Sequence, residues 1–207
     1  MSESNFPGHG GAGKPGSQQE PQGLPDLLDY NPGGLAVLWA EENRRDALFD
    51  AMQRKEAYAT SGPRMNVRLF AGTDLPAELC DSPNFAESGY ANGVPMGGSI
   101  VSHGPLQRGT VRVALQAAQD PNGVGLERLQ IVKGWVDEQG KTHEKVVDVA
   151  RSATKHRLDL QTCQVQGQSS AKLCAVWRDP EFDPAESTYY YGRVLDCLLY
   201  TSDAADE

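Results

Sequence analysis

The stretch Leu129-Gln130-Ile131-Val132-Lys133-Gly134-Trp135 decides the fold of this chain, because it is short, apolar and rich in residues that favour β-strands. Further stretches of this kind are separated by turns of Gly, Pro, Asn and Asp. They are residues 65–69, 110–115, 144–149, 173–177 and 188–194. Short strands that follow one another in this way are typical of two antiparallel sheets packed together. We therefore predict a mostly antiparallel β-sandwich over residues 62–196.

The chain before this region has a different pattern. Residues 1–34 have neither helical nor alternating periodicity, and residues 34–40 form a continuous apolar run. Such a run predicts a strand covered on both faces, as in a parallel α/β sheet or barrel, and no partner strand for it is evident in the chain. A helix over about residues 44–57 follows, with Asn43 as its N-cap and with Leu48, Phe49 and Met52 on one apolar stripe.

This apolar stripe needs another surface to pack against. The strand and helix together therefore look like the last β-α element of a barrel that begins elsewhere, and we assign it to residues 1–61. The predicted fold class is α+β.

Composition excludes two classes of partner. Lys and Arg number 19 against 28 Asp and Glu, which gives a formal net charge of −9. A net negative surface argues against nucleic acid and against an anionic membrane. No apolar stretch approaches the roughly 20 residues that a membrane-spanning helix needs.

The 4 cysteines show no CxxC spacing, which argues against a zinc site. Cys163 and Cys174 could close a small loop between two strands, and that disulfide would contribute roughly 2 to 4 kcal/mol in an oxidising compartment. Buried free thiols are the alternative. The disulfide candidate suggests a periplasmic or secreted location in a bacterium.

Six further motifs stand out along the chain, at residues 6–15, 33–43, 57–64, 93–98, 129–135 and 175–184. Together they resemble the C-terminal part of the family known as domain of unknown function 3604 (DUF3604), and the resemblance covers about residues 4–195. That family looks related to the polymerase and histidinol phosphatase (PHP) superfamily. Those proteins fold as a distorted β/α barrel, and their His, Asp and Glu side chains bind divalent metals that activate water.

The resemblance implies that the parent protein is a metal-dependent hydrolase acting on a phosphoester or similar bond of a small molecule. Its cofactors would be Mn, Zn or Mg ions. The metal motifs, including a final Asp-x-His, would precede Met1. The present chain would then be a fragment that lacks catalytic competence and metal, and its partner would be the missing N-terminal PHP-like barrel of the same polypeptide.

Four residues are candidates for the border of such a site. His9, in a Gly-rich loop, could approach the metal ions, although an exposed imidazole is the alternative. Glu41 and Glu42 follow the predicted barrel strand at its carboxyl end, where barrel enzymes carry their chemistry. Electrostatics at the start of the helix would explain both carboxylates equally well. Arg64 could bind an anionic substrate, or it could simply begin the first sandwich strand with a surface charge.

Two further interpretations concern the sandwich and the C-terminal residues. The sandwich could be a non-catalytic binding or assembly module, for a glycan, a partner protein or a second subunit. Residues 197–207 resemble the translated sequencing-adapter tail found on proteins from metagenomic assemblies. A natural acidic tail is the alternative.

Overall fold

The computed structural model describes residues 34–100, 110–153, 157–159, 164–166 and 170–196. These residues form mostly antiparallel β-sheet with few helices, which confirms a β-rich α+β fold. The strands are β1 (Leu35–Leu38), β2 (Ala57–Thr60), β3 (Asn66–Gly72), β4 (Val94–Pro95), β5 (Arg112–Ala118), β6 (Leu126–Val136), β7 (Thr142–Arg151), β8 (Arg157–Asp159), β9 (Gln164–Gln166), β10 (Lys172–Arg178) and β11 (Ser187–Asp196). The helices are α1 (Arg45–Gln53) and α2 (Phe85–Asn92), with a 3₁₀ turn at Leu79–Asp81.

Within the described ranges, neither helix has the length and apolar character needed to cross a membrane. The segment 197–207, interpreted above as an adapter-like tail, lies outside the described residues.

The segment from β1 to β2 differs from the predicted barrel element. β1 pairs antiparallel with β2, so it has a partner strand within this chain, and the expectation that it has none is wrong. None of the residues of β1 is buried, so the prediction of a strand covered on both faces is also wrong. The continuous apolar run led to this error, because such a run does not reveal whether covering elements are present.

The turn after α1 brings β2 back beside β1. Lys55 adopts a left-handed conformation with φ of 58°. Its N–H donates to the Met52 carbonyl at 3.0 Å, and the Glu56 N–H donates to the Ala51 carbonyl at 3.1 Å. These two bonds form a Schellman motif, which ends the helix before residue 57. The N-cap residue is Arg44 rather than the predicted Asn43, and its side chain makes no capping hydrogen bond.

Two sheets form the sandwich. One has the strand order β10-β5-β3-β4 and the other has the order β11-β6-β7. All pairs within them are antiparallel, as predicted. The six strands predicted from residue 65 onward are all present as β3, β5, β6, β7, β10 and β11. The short strand β4 and the helix α2 were not predicted.

Alternate residues of these strands build the core between the sheets. Val67 and Leu69 of β3 and Leu115 of β5 pack in one cluster with Leu129 and Ile131 of β6. Because successive side chains of a strand point to opposite faces, a spacing of two residues places each set on the inner face of its sheet. Burial does not alternate in β3 and β5, because Phe70 and Ala114 on the other face of this sheet are buried as well.

A second core lies on the opposite face of the four-stranded sheet. Phe70 and Ala114 are fully buried there, together with Phe85 at the start of α2. A Cβ atom at Gly89 would lie 2.4 Å from the Phe70 ring, so only glycine allows α2 to approach this closely. One sheet is thus covered on both faces, which explains why the consecutive residues 113–115 of β5 are all buried.

A disulfide joins this second core to the sheet edge. Cys80, in the 3₁₀ turn, is bonded to Cys174 in β10. The predicted pairing of Cys174 with Cys163 is therefore corrected, while Cys163 itself lies outside the described residues. The 94-residue separation of the true partners made the pair invisible to reasoning from local spacing.

The segment from β1 to β2 also contacts the sandwich. The Trp39 Nε1 donates to the Val67 carbonyl at 2.9 Å. The Arg68 guanidinium lies 3.6 Å from the centre of the Trp39 ring and 3.7 Å from the carboxylate of Glu56, which is 3% exposed. The hydroxyl of Tyr90 in α2 donates to the same carboxylate. This cluster, with the buried Glu56 at its centre, fixes residues 34–60 against β3 and α2.

Candidate binding cleft

A cleft of about 840 Å³ opens between the edges of the two sheets. Leu69 and Ala71 of β3 line it on one side, together with residues 94–100. Phe182 and Tyr190 line it on the other side. Its volume is in the range of small-molecule sites in proteins, and its lining is largely apolar, as is usual for such sites.

The Tyr190 ring is held in the cleft wall by a buried hydrogen bond. Tyr190 belongs to the set of β11 residues that face the core, and its ring also contacts the Trp177 ring at a centroid distance of 6.2 Å. Its hydroxyl donates to Asp179 Oδ2 at 2.6 Å. Burial and the nearby Asp179 carboxylate raise the pKa of the Tyr190 phenol far above its ordinary value of 10.0. The phenol is therefore a neutral donor at physiological pH.

A buried ion pair lies behind Tyr190. Lys133 Nζ is 2.7 Å from Asp179 Oδ2, and both residues are 1% exposed. Lys133 also donates to the Glu181 carbonyl at 2.7 Å, and Asp179 Oδ1 accepts from the Glu181 N–H at 3.0 Å. Every charged atom of the pair therefore has a partner, as buried charges require.

This pair fixes the segment that forms one wall of the cleft. Asp179 directly follows β10 of one sheet, whereas Lys133 and Tyr190 belong to the other sheet. The connection from β10 to β11, which includes Phe182, is therefore tied to the inner face of the three-stranded sheet.

The sequence-predicted site residues lie apart from the cleft lining. Glu41 and Glu42 are exposed, and Glu42 pairs with Arg44 at 3.4 Å. Arg64 is also exposed, and its backbone N–H donates to Asp120 Oδ2 at 2.7 Å. No hydrogen bond or ion pair joins Arg64 to either glutamate in the described part of the chain. The roles suggested for these residues remain predictions, and His9 lies outside the described residues.

Sequence reasoning missed Lys133, Asp179 and Tyr190. One signal was present, since Lys133 stands within a largely apolar predicted strand and a buried lysine requires an acidic partner. The identity of that partner was not accessible, because Asp179 is distant in sequence. Only the pairing of β6 with β11, which places Lys133 opposite Tyr190, brings the three together.

No metal site is evident in the ranges that the structure describes. Among those residues, no three His, Cys, Asp or Glu side chains are placed to bind one ion. The described residues thus do not supply the ligand set that a PHP-like metal centre would need.

Comparison with known proteins gives one match. The model of a family described as proteins of unknown function, DUF3604, matches residues 1–202. No curated protein and no solved structure matches the chain. Since the family match spans far more than half of the sequence, the chain belongs to the DUF3604 family.

Proposed function

We propose that this chain is a non-catalytic part of a PHP-like, metal-dependent hydrolase that acts on a phosphoester or similar bond of a small molecule. In this proposal the segment from β1 to β2 packs against the catalytic barrel of the same polypeptide. The supporting observation is the exposed apolar face of α1, where Phe49 and Met52 are each 53% exposed.

The geometry of α1 explains why this face is available. Phe49 and Met52 are three residues apart and share one side of the helix, whereas Ala51 is fully buried against the rest of the segment. Leu35 of β1 adds a further apolar side chain that is 37% exposed. Covering the exposed half of each large side chain would contribute roughly 1 kcal/mol. A neighbouring domain would gain a small apolar anchor from this face.

The metal ions belong to the catalytic barrel in this proposal. Bound Mn, Zn or Mg would activate water there, and the present chain would contribute no ligand from its described residues. The disulfide between Cys80 and Cys174 supports a periplasmic or secreted location, because such bonds persist in oxidising compartments.

Expression of the chain together with the coding sequence that precedes Met1 tests this proposal. We expect the longer protein to bind Mn, Zn or Mg and to hydrolyse phosphomonoester, phosphodiester or sulfate ester substrates. The double variant Phe49→Ser/Met52→Ser should lower the melting temperature of the longer protein and leave that of the present chain nearly unchanged. Asp50→Ser, at a polar exposed position of the same helix, is the matched control and should leave both melting temperatures nearly unchanged. A longer protein without metal binding would refute the hydrolase proposal.

A second candidate function is glycan binding by the sandwich. Tyr189 and Tyr191 lie on the outer face of β11, are 55% and 40% exposed, and have ring planes within 9° of each other. The Tyr189 ring lies across Gly134 of β6, where a Cβ atom would be 2.2 Å from it. Parallel exposed aromatic rings offer apolar faces on which the C–H faces of sugar rings can stack.

This second function predicts measurable retardation of the protein in gels that contain soluble polysaccharides. Tyr189→Ala and Tyr191→Ala should each abolish the retardation, because each removes one of the two stacking faces. Arg193→Ala, the next outward-facing residue of β11, is the control and should bind as the parent does. Equal retardation of all variants would exclude the tyrosine pair as the site.

A further inference from the structure

The cleft between the sheets has one chemical feature that its apolar lining does not explain. Glu186 lines it, and the structure shows no hydrogen bond or ion pair of this carboxylate with any described residue. The segment around it is well fixed, because the Glu186 N–H donates to the Asp183 carbonyl at 3.2 Å and the Ala185 N–H donates to Asp183 Oδ1 at 2.8 Å. A carboxylate that has no partner among the described residues thus lies on the lining of the cleft, on a turn whose backbone is fixed.

The lining of the cleft carries an acidic side chain and no basic one among its described residues. Glu186 is the only acidic or basic side chain among the described lining residues. The nearest buried cation on that wall, Lys133, is neutralised by Asp179 at 2.7 Å. The whole chain carries a formal charge of −9, which adds to the potential that a ligand meets on approach.

We propose that this cleft binds a small apolar molecule that carries one positively charged group, such as an aryl- or alkylammonium compound. The apolar body of the ligand would replace water against Leu69, Met96 and Phe182, and this burial supplies most of the affinity. The cationic group would pair with Glu186, and this pair supplies the selectivity. The inference goes beyond the proposed hydrolase function and does not depend on it.

Three probes with the same ring separate the two contributions. They are 1-naphthylmethylammonium, neutral 1-naphthylmethanol and 1-naphthoate, titrated into the intact chain at neutral pH and measured by calorimetry. We expect the ammonium probe to bind more tightly than the alcohol by about fivefold, the size expected for a partly exposed ion pair, and the carboxylate probe to bind most weakly. Equal affinities for all three would overturn the proposal.

Two variants locate the site. Glu186→Gln should weaken binding of the ammonium probe about fivefold and leave that of the alcohol unchanged. Ser99→Trp, at an exposed position of the cleft lining, should weaken binding of all three probes by filling the cavity. Glu144 is exposed on β7 and lies outside the cleft lining, so Glu144→Gln is the matched charge control. It should bind all three probes with the affinities of the parent.

These results can be told apart from misfolding of a variant and from failure of the hydrolase proposal. Thermal unfolding of each variant checks that it is folded, and the titrations require neither metal nor enzymatic activity. If Glu186→Gln and Glu144→Gln weaken binding of the ammonium probe equally, the effect comes from the net charge of the protein and the proposal fails. If Ser99→Trp leaves all affinities unchanged, the probes bind elsewhere and the proposal also fails.

Discussion

Replacing Asp179 with alanine is expected to lower the free energy of unfolding by about 3 to 5 kcal/mol, because it leaves the Lys133 ammonium buried without its charged partner. Lys133 is 1% exposed, so water cannot replace the lost carboxylate without a change in structure. The substitution also removes the acceptor of the Tyr190 hydroxyl. Urea denaturation, with fluorescence and circular dichroism as probes, measures the change.

A neighbouring ion pair provides the control for this prediction. Lys145 pairs with Glu181 at 2.8 Å, but the two side chains are 43% and 57% exposed. Lys145→Ala should therefore lower the free energy of unfolding by less than about 1 kcal/mol. The double variant Lys133→Met/Asp179→Leu should be more stable than Asp179→Ala, because it leaves no unpaired buried charge. A loss for Asp179→Ala no larger than that for Lys145→Ala would contradict the buried-pair account.

Removing the disulfide between Cys80 and Cys174 is expected to lower the free energy of unfolding by about 2 to 5 kcal/mol. The bond spans 94 residues of sequence, so its loss frees a large loop in the unfolded chain. For a chain of this size, the melting temperature should fall by roughly 10 °C. Calorimetry of the Cys80→Ala/Cys174→Ala variant, or of the parent under reducing conditions, measures the effect.

The control for the disulfide uses the cysteine that local spacing had suggested. Cys163→Ala should keep the melting temperature of the parent under oxidising conditions, and its response to reductant should be unchanged. Peptide mapping without reduction should recover the fragment that joins Cys80 to Cys174. A loss of stability in Cys163→Ala equal to that in Cys174→Ala would contradict the observed pairing.

The strand pattern from residue 65 onward was readable from the sequence because it depends on local properties. The strands are rich in residues that favour β-structure, and turn residues separate them. The antiparallel class follows from many short strands in succession. Family membership was also accessible, because motifs are properties of the sequence itself.

The apolar run of β1 shows where this reasoning fails. Its apolar composition favours burial but does not identify the surface that would cover it. In the structure, β1 pairs with β2, and α1 lies between the two strands in the sequence. The turn that creates this pair depends on Lys55 in a left-handed conformation. A lysine in the sequence does not predict that conformation, because residues other than glycine rarely adopt a positive φ.

The sequence by itself therefore determined the six main strands of the sandwich, the β-rich class and the family of this protein. Only the tertiary structure decided which partners meet: Cys80 with Cys174, Lys133 with Asp179, and the two sheet edges that leave a cleft beside Glu186. The physical reason is the range of the interactions. Backbone preference and side-chain alternation act over a few residues, whereas disulfides, buried ion pairs and cavities join residues that approach one another only after the sheets have packed.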